Sequence, residues 1–358
     1  MNAFAQRLGL RYPLIQAPMA GVQLHALTVA VGAAGALGSL PCAMLNAQAL
    51  RAELAAIRAR TDRPFNLNFF CHTDPAPDAA AEAAWREALR PYCEEFGIDV
   101  SKAAAGPGRA PFGDEFAALV EEFRPPVVSF HFGLPAPPLL ERVRRSGAVV
   151  LASCTTLDEA RWLEAHGAYA VIAQGLEAGG HRGHFLSDDL SRQLGTFALL
   201  PLVKAAVRVP VIAAGGIADA AGVAAAMALG ADAVQIGTAY LLCHEVTTSA
   251  LHRAALRSDA AHHTALTNLF TGRPARGIVN RLMRELGNAD AEHFSTGLGA
   301  VAPAFPLATN AIGPLRAAAE QAGRTDFTPL WSGQNASGCR TGSATEITQA
   351  LARGFDKG

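Results

Sequence analysis

No stretch of this chain reads C-x-x-C, and its six cysteines, at 42, 71, 93, 154, 243 and 339, follow no spacing suited to zinc. No metal site is expected, and the pattern fits a reducing compartment better than a disulfide scaffold, so a cytoplasmic location is expected. An excess of charge of either sign is also missing: 30 Lys and Arg stand against 31 Asp and Glu, and the pI is about 6.8. A protein that grips nucleic acid carries a basic footprint, and none is present, so no polyanion partner is expected. The opening MNAFAQRLGLRYPLIQAPMAG lacks a continuous apolar core with a cleavage pattern behind it and does not look like a signal peptide. The uncharged run from Ala26 to Leu50 is long enough to span a bilayer. Glycines 32, 35 and 38, with Pro41, Asn46 and Gln48, instead break it into a short helix and a strand, GALGSL, as in a buried βαβ unit. No membrane span is expected.

The chain does have length, 358 residues, and 50% hydrophobic content, enough to bury one elaborated α/β core. Eight short apolar runs bounded by turn residues read as strands: 14–19, 35–40, 65–70, 127–132, 148–153, 170–175, 209–215 and 233–238. Between them lie helical patterns such as QALRAELAAIRART, PPLLERVRRSG, LDEARWLEAHG and DAAGVAAAMALG, most of them ending in glycine. That rhythm predicts a (β/α)8 TIM barrel. Two segments exceed it. Residues 71–126 include KAAAGPGRAPFGDE, expected to be a loop or flap. Residues 242–310 read as largely helical before an irregular GLGAVAPAFPLATNA. The expected organisation is a barrel of residues 1–241 with 311–358 and a helical insertion subdomain, 242–310, over its mouth. PLRAAAEQAG, residues 314–323, is expected to return as a late barrel helix.

In such a barrel the active site lies at the carboxyl ends of the strands. The residues there are Ala17, Pro18 and Met19; Asn68 with Cys71 and His72; His131; Ser153; Gln174 with Gly179, Gly180 and His181; Gly215 and Gly216; and Gln235 through Thr238, including Gly237. Glycines 179 and 180 leave room for backbone to approach a flat ligand that His181 then faces. Amides of the AGG and QIGT turns, with the Thr238 hydroxyl, suit a phosphate. The side-chain amides of Asn68 and Gln174 suit the edge of a planar heterocycle. Phosphate plus heterocycle suggests FMN. Cys154 reads as a small buried hydrophobe rather than a nucleophile. The pair His262 and His263 reads as a solvated helix face.

The pieces QAPMAGV, NLNFFCH, SFHFG, ASCTTLDEA, QGLEAGGHRG, VIAAGGIAD, DAVQIGTAYL and FPLATNAIGPLR with LWSGQ resemble nitronate monooxygenases of class I, formerly called 2-nitropropane dioxygenases. The resemblance runs from about residue 14 to 335. It implies FMN contacts at Met19, Asn68, Gln174, Gly179, Gly216, Gln235, Gly237 and Thr238, a catalytic His181, and His131 as a second pocket histidine. It also implies one-electron oxidation of alkyl nitronates, such as propionate 3-nitronate, through a flavin semiquinone, with O2 giving a carbonyl compound and nitrite. A neutral nitroalkane would first lose its α-proton to His181, whose imidazole suits that role near neutral pH. The sequence departs from some family members at FPLATNAIGPLR, which offers Phe305 but no tyrosine, and Gly313 where a lysine would come. An NAD(P)H-dependent FMN reductase acting on an enoyl thioester or quinone is the alternative enzyme reading. A barrel that binds a phosphorylated ligand without turnover is the non-enzymatic one. An alanine-rich helical surface permits a homodimer.

Overall fold

The computed structural model describes residues 2–99, 108–287, 299 and 301–357. Its strands are β1 (Leu14–Gln16), β2 (Gly38–Pro41), β3 (Phe65–Phe70), β4 (Val127–His131), β5 (Val149–Cys154), β6 (Ala170–Gln174), the two-residue β7 (Gly180–His181), β8 (Val211–Ala214), β9 (Ala233–Ile236), β10 (Thr264–Thr267) and β11 (Ala275–Ile278). All but β7, β10 and β11 form one parallel sheet in the order β1-β9-β8-β6-β5-β4-β3-β2. A parallel bridge between Ile15 and Leu37 closes the ring, with Gln16 N donating to Leu37 O and Leu37 N to Leu14 O, each at 2.9 Å. The expected (β/α)8 barrel is present.

The strands are buried on both faces, which is why they read as near-continuous apolar runs. Val149 and Leu151 of β5 point into the barrel with Ile15, Leu37, Ile172 and Ile212, whereas Val150 and Ala152 point outward to the helices. Helix α1 (Ala3–Leu8) closes the amino-terminal end, packing Phe4, Ala5 and Leu8 against that inner cluster. The opposite end is therefore left for the site. Around the ring run α2 (His25–Ala33), α3 (Ala47–Arg58), α5 (Asp114–Phe123), α6 (Pro137–Arg145), α7 (Leu157–Ala165), α8 (Thr196–Ala206), α9 (Ala220–Ala228) and α13 (Ala344–Ala352), while α4 (Ala79–Glu95), α10 (Ala250–Leu256), α11 (Arg281–Leu286) and α12 (Ala308–Gln321) complete the chain. The run from Ala26 to Leu50 divides among α2, β2 and α3, and no helix among the described residues is long and apolar enough to cross a membrane. Thr156 and Glu159 form a capping box at the start of α7, a spacing visible in the sequence.

The departures from expectation are local. The first strand stops at Gln16, with Ala17 N still donating to Ile236 O at 2.8 Å before Pro18, which has no N–H, and the second starts at Gly38, packed so tightly on the Thr28 backbone that no Cβ fits. Among the described residues, the stretch 242–310 is not largely helical. Alongside α10 and α11 it contributes the antiparallel hairpin β10–β11, and β11 pairs in turn with β7. Thr264–Thr267 and Ala275–Ile278 carry no continuous apolar run of the kind that marks the buried barrel strands; they exist through their partners. Residues 314–323 do not supply a barrel helix. Within α12, Ala308, Ala311, Ile312, Leu315 and Ala319 share a second core with Trp85 and Leu89 of α4, and the Trp85 indole donates to Ala308 O at 3.0 Å. Helix α13 takes the place beside α2 and α9. The long segment after β3 divides into α4 and α5; of its expected flap, residues 102–107 lie outside the described residues, as do 297, 298 and 300 of the expected irregular stretch.

Candidate active site

A cleft opens at the carboxyl ends of the barrel strands, and every expected binding and catalytic residue lines it. Ala17, Pro18 and Met19 follow β1; Asn68 lies on β3, His131 on β4 and Gln174 on β6. Gly179, Gly180 and His181 form the next turn, Gly215 and Gly216 follow β8, and Gln235, Gly237 and Thr238 come from β9 and its end. Ser153 lines the cleft as well. Cys71 and His72 do not; His72 stands edge-on to Phe305 at 4.8 Å between ring centroids, with Asp74 3.7 Å from its Nε2.

The glycines of GLEAGGHRG have separate reasons. Gly180 adopts φ +73°, which lets the chain turn into β7. A Cβ on Gly183 would come within 2.7 Å of His131 Cε1, and one on Gly179 within 2.5 Å of Gly333 N. The histidine turn is thus fitted against a second histidine on one side and the late chain on the other. Gln174 spends its amide on the same turn: Nε2 donates to His181 O at 2.9 Å and Oε1 accepts from Gly183 N at 2.8 Å. It presents only its remaining hydrogen and lone pair to a ligand, a narrower role than the sequence suggested. His131 Nε2 also donates to His181 O, at 3.1 Å.

The His181 ring is held by Thr271, whose Oγ1 lies 2.9 Å from Nε2. Around it stand Phe70, Phe305, Phe132 and Trp331, with ring centroids 5.4 to 6.1 Å away. Phe132 is a non-glycine residue at φ +70°, a strained backbone held in place by packing. The Arg273 guanidinium covers its ring at 4.1 Å, within cation–π range. Burial pushes the His181 imidazole well below its ordinary range, and the positive charge of Arg109 adds to that, with His131, Arg273 and His72 contributing further. His131 is pushed down to about 3, again chiefly by burial. Both imidazoles are therefore neutral at physiological pH, acceptors rather than cations.

The positive charge of the site belongs to arginines. Arg109 lines the cleft and bonds Thr309 Oγ1 at 3.0 Å. Arg182, fully buried, donates to Gln174 O and Gly175 O at 2.8 Å, fixing the carboxyl end of β6. Glu177, a carboxylate in the cleft wall, is engaged by Thr196 N and Oγ1. Buried Glu159 accepts from Thr155 N at 2.7 Å through one oxygen and from Phe185 N at 2.6 Å through the other, tying α7 to the histidine turn. Sequence reasoning missed these, together with an amide belt inside the barrel: Gln16 and Gln23 share a 2.7 Å bond, Asn66 Nδ2 reaches Ser39 and Ser129, and Asn68 Nδ2 reaches Ser129 at 2.9 Å. The available signal was polar residues inside apolar strands, LIQ, FNLNFF and VVSF.

The far end of the cleft is closed by the late chain. Gly333 N donates to Thr238 Oγ1 at 2.9 Å, leaving the hydroxyl hydrogen free to donate elsewhere, and Asn335 Nδ2 reaches Gly216 O at 3.1 Å. Cys154 is buried with its thiol pushed up, as a packing residue should be. Among the described residues no cluster of potential metal ligands occurs.

The sequence model of one family, described as nitronate monooxygenase, matches residues 2–354. The chain belongs to the nitronate monooxygenase family. It is thus an enzyme. It is 42% identical to the nitronate monooxygenase of Paraburkholderia phytofirmans over 98% of this chain and 94% of that protein. It is 41% identical to that of Pseudomonas aeruginosa over 98% of both. Among solved structures it is similar to the nitroalkane oxidase from Streptomyces ansochromogenes, with a TM-score of 0.87 and 37% identity over 99% of this chain and 98% of that one. FabK from Thermotoga maritima follows at a TM-score of 0.73 and 25% identity over 100% and 96%.

Proposed function

We propose that this member of the nitronate monooxygenase family oxidises alkyl nitronates, and after deprotonation neutral nitroalkanes, with FMN as cofactor and O2 as co-substrate. The observation that carries the reading is His181 facing a cleft lined by Phe70, Trp331 and the cation Arg109, a setting that attracts a small anion; burial favours the neutral imidazole there.

The cleft fits FMN. Gln235 Oε1 is buried there without a protein partner, as expected of an atom awaiting a ligand donor. Gly215, at φ +116°, and Gly216, at φ +73°, leave the AGG turn bare of side chains, and the Thr238 hydroxyl still has a hydrogen to offer a phosphate. Thr238, Gly216, Gly237 and Asn335 would hold the phosphate end; Met19, Asn68, Gln174 and Gln235 would hold the ring. FMN supplies a one-electron acceptor that also reacts with oxygen. The chain's own groups do the rest: Arg109 draws the nitronate or nitro oxygens, and Phe70, Phe132 and Phe305 exclude water. For a neutral nitroalkane, His181 takes the α-proton, and the nitronate formed in the same step supplies the negative charge that offsets the burial disfavouring its imidazolium; such a base contributes about 10²- to 10⁴-fold.

The test is an anaerobic mixture of the purified holoenzyme with an alkyl nitronate in one cuvette and NADH or NADPH in another, followed by flavin absorbance. Change with nitronate alone is the expected result. Bleaching by nicotinamide with nitronate inert would replace the proposal by a reductase, and a protein that takes up no flavin would remove FMN from it.

A further inference from the structure

We infer that Thr271 is a positioning residue that fixes the tautomer of His181, placing hydrogen on Nε2 and the bare lone pair on Nδ1. The inference rests on the proposed role of His181 as base and adds which atom takes the proton and what selects it.

The bond count around the Thr271 hydroxyl carries the argument. Its oxygen has one hydrogen and two lone pairs. Arg273 N donates to it at 3.4 Å, and it faces Arg273 O at 3.3 Å, an atom that only accepts. A hydroxyl hydrogen directed at Arg273 O leaves the remaining lone pair facing His181 Nε2 at 2.9 Å. That contact is a hydrogen bond only if Nε2 carries the hydrogen. The opposite tautomer would turn the hydroxyl hydrogen onto His181 and leave the carbonyl of half-buried Arg273 without it. Nδ1 has no protein partner among the described residues, and His181 lines the cleft, so this nitrogen is the one available to a substrate proton. The rest of the turn is fixed independently, by Gln174 and His131 on the His181 carbonyl and by pairing of Gly180 and His181 with β11. Losing the Thr271 hydroxyl would thus free the ring tautomer while leaving the backbone in place. A base with its hydrogen on the substrate-facing nitrogen accepts no proton.

Nitrogen NMR of the flavin-loaded enzyme labelled with ¹⁵N-histidine, with the His181 signals assigned by their loss in His181→Asn, reads the tautomer without reference to turnover. The expected result is a protonated Nε2 and a bare Nδ1 in the parent, a mixture in Thr271→Val, and restoration in Thr271→Ser. In parallel, kcat/KM for nitroethane should fall by about tenfold or more in Thr271→Val and recover in Thr271→Ser, while turnover of the preformed ethyl nitronate, which needs no base, stays within about twofold. A protonated Nδ1 in the parent would overturn the inference. A tautomer that shifts as expected while nitroethane turnover is unchanged would uphold the Thr271 assignment and instead remove the base role from His181. Equal losses with nitroethane and nitronate in both variants would mark Thr271 as merely structural and overturn its positioning role.

Discussion

His131 Nε2 lies 3.1 Å from the carbonyl oxygen of His181, and because a carbonyl only accepts, the hydrogen of the neutral His131 ring is on that nitrogen. One histidine thus holds the backbone of the other. The ring that does so fills the space a Cβ on Gly183 would need, so the two histidines and the last glycine of GGHRG form a single steric unit.

Replacing Gly183 by alanine is expected to displace His131, since the new Cβ would stand 2.7 Å from Cε1, well inside van der Waals contact. The loss of a buried hydrogen bond with its partner left unsatisfied costs about 1 to 3 kcal/mol. Lower kcat/KM and a lower denaturation midpoint should appear together; an unchanged midpoint and full activity would show that the His131 contact is dispensable.

The substitution His181→Asn should retain bound flavin and turnover of preformed nitronates. Turnover of neutral nitroalkanes should fall by about 10²- to 10⁴-fold, the usual contribution of a general base. Steady-state rates with nitroethane and with ethyl nitronate, measured side by side, decide the point, and full retention with nitroethane rules out the base role.

Arg109→Gln removes the cation that lines the cleft beside the Phe305 ring, 5.8 Å from its centroid. If a charge-assisted contact of about 1.5 kcal/mol is lost, KM for an anionic nitronate should rise by roughly tenfold. KM for a neutral nitroalkane should change little, and equal changes for both would argue against charge recognition at this position.

Acid should destabilise the protein early. Burial lowers His131 to about 3 and His184 and His252 to about 4, below the ordinary value of 6.5. Below pH 6.5 the unfolded chain binds protons at these positions that the folded chain refuses, so stability rises with pH across this window. The contribution is full above about pH 6.5 and is lost as pH falls towards 4 and then 3. Urea midpoints at pH 7 and pH 5 measure the slope, and a His131→Gln variant should show a shallower one than the parent.

What the sequence determined by itself was local and periodic. Eight apolar runs became eight parallel barrel strands, because strands buried on both faces must be apolar throughout. Residues just past those strands, Cys71 and His72 excepted, lined the cleft, because in this architecture the strand ends all face one way. The pattern LDEARWLEAHG became helix α7, because helix periodicity and end signals are local. Tertiary structure alone decided the rest. Strand β7 exists because β11, almost a hundred residues later, pairs with it. Gln174 gave part of its amide to the histidine turn, and Arg109, Thr271 and Gly333 entered the site from segments whose sequence has no strand-end pattern to announce them. Pairing partners and hydrogen-bond acceptors distant in sequence leave no period in the chain, whereas burial against a regular backbone does.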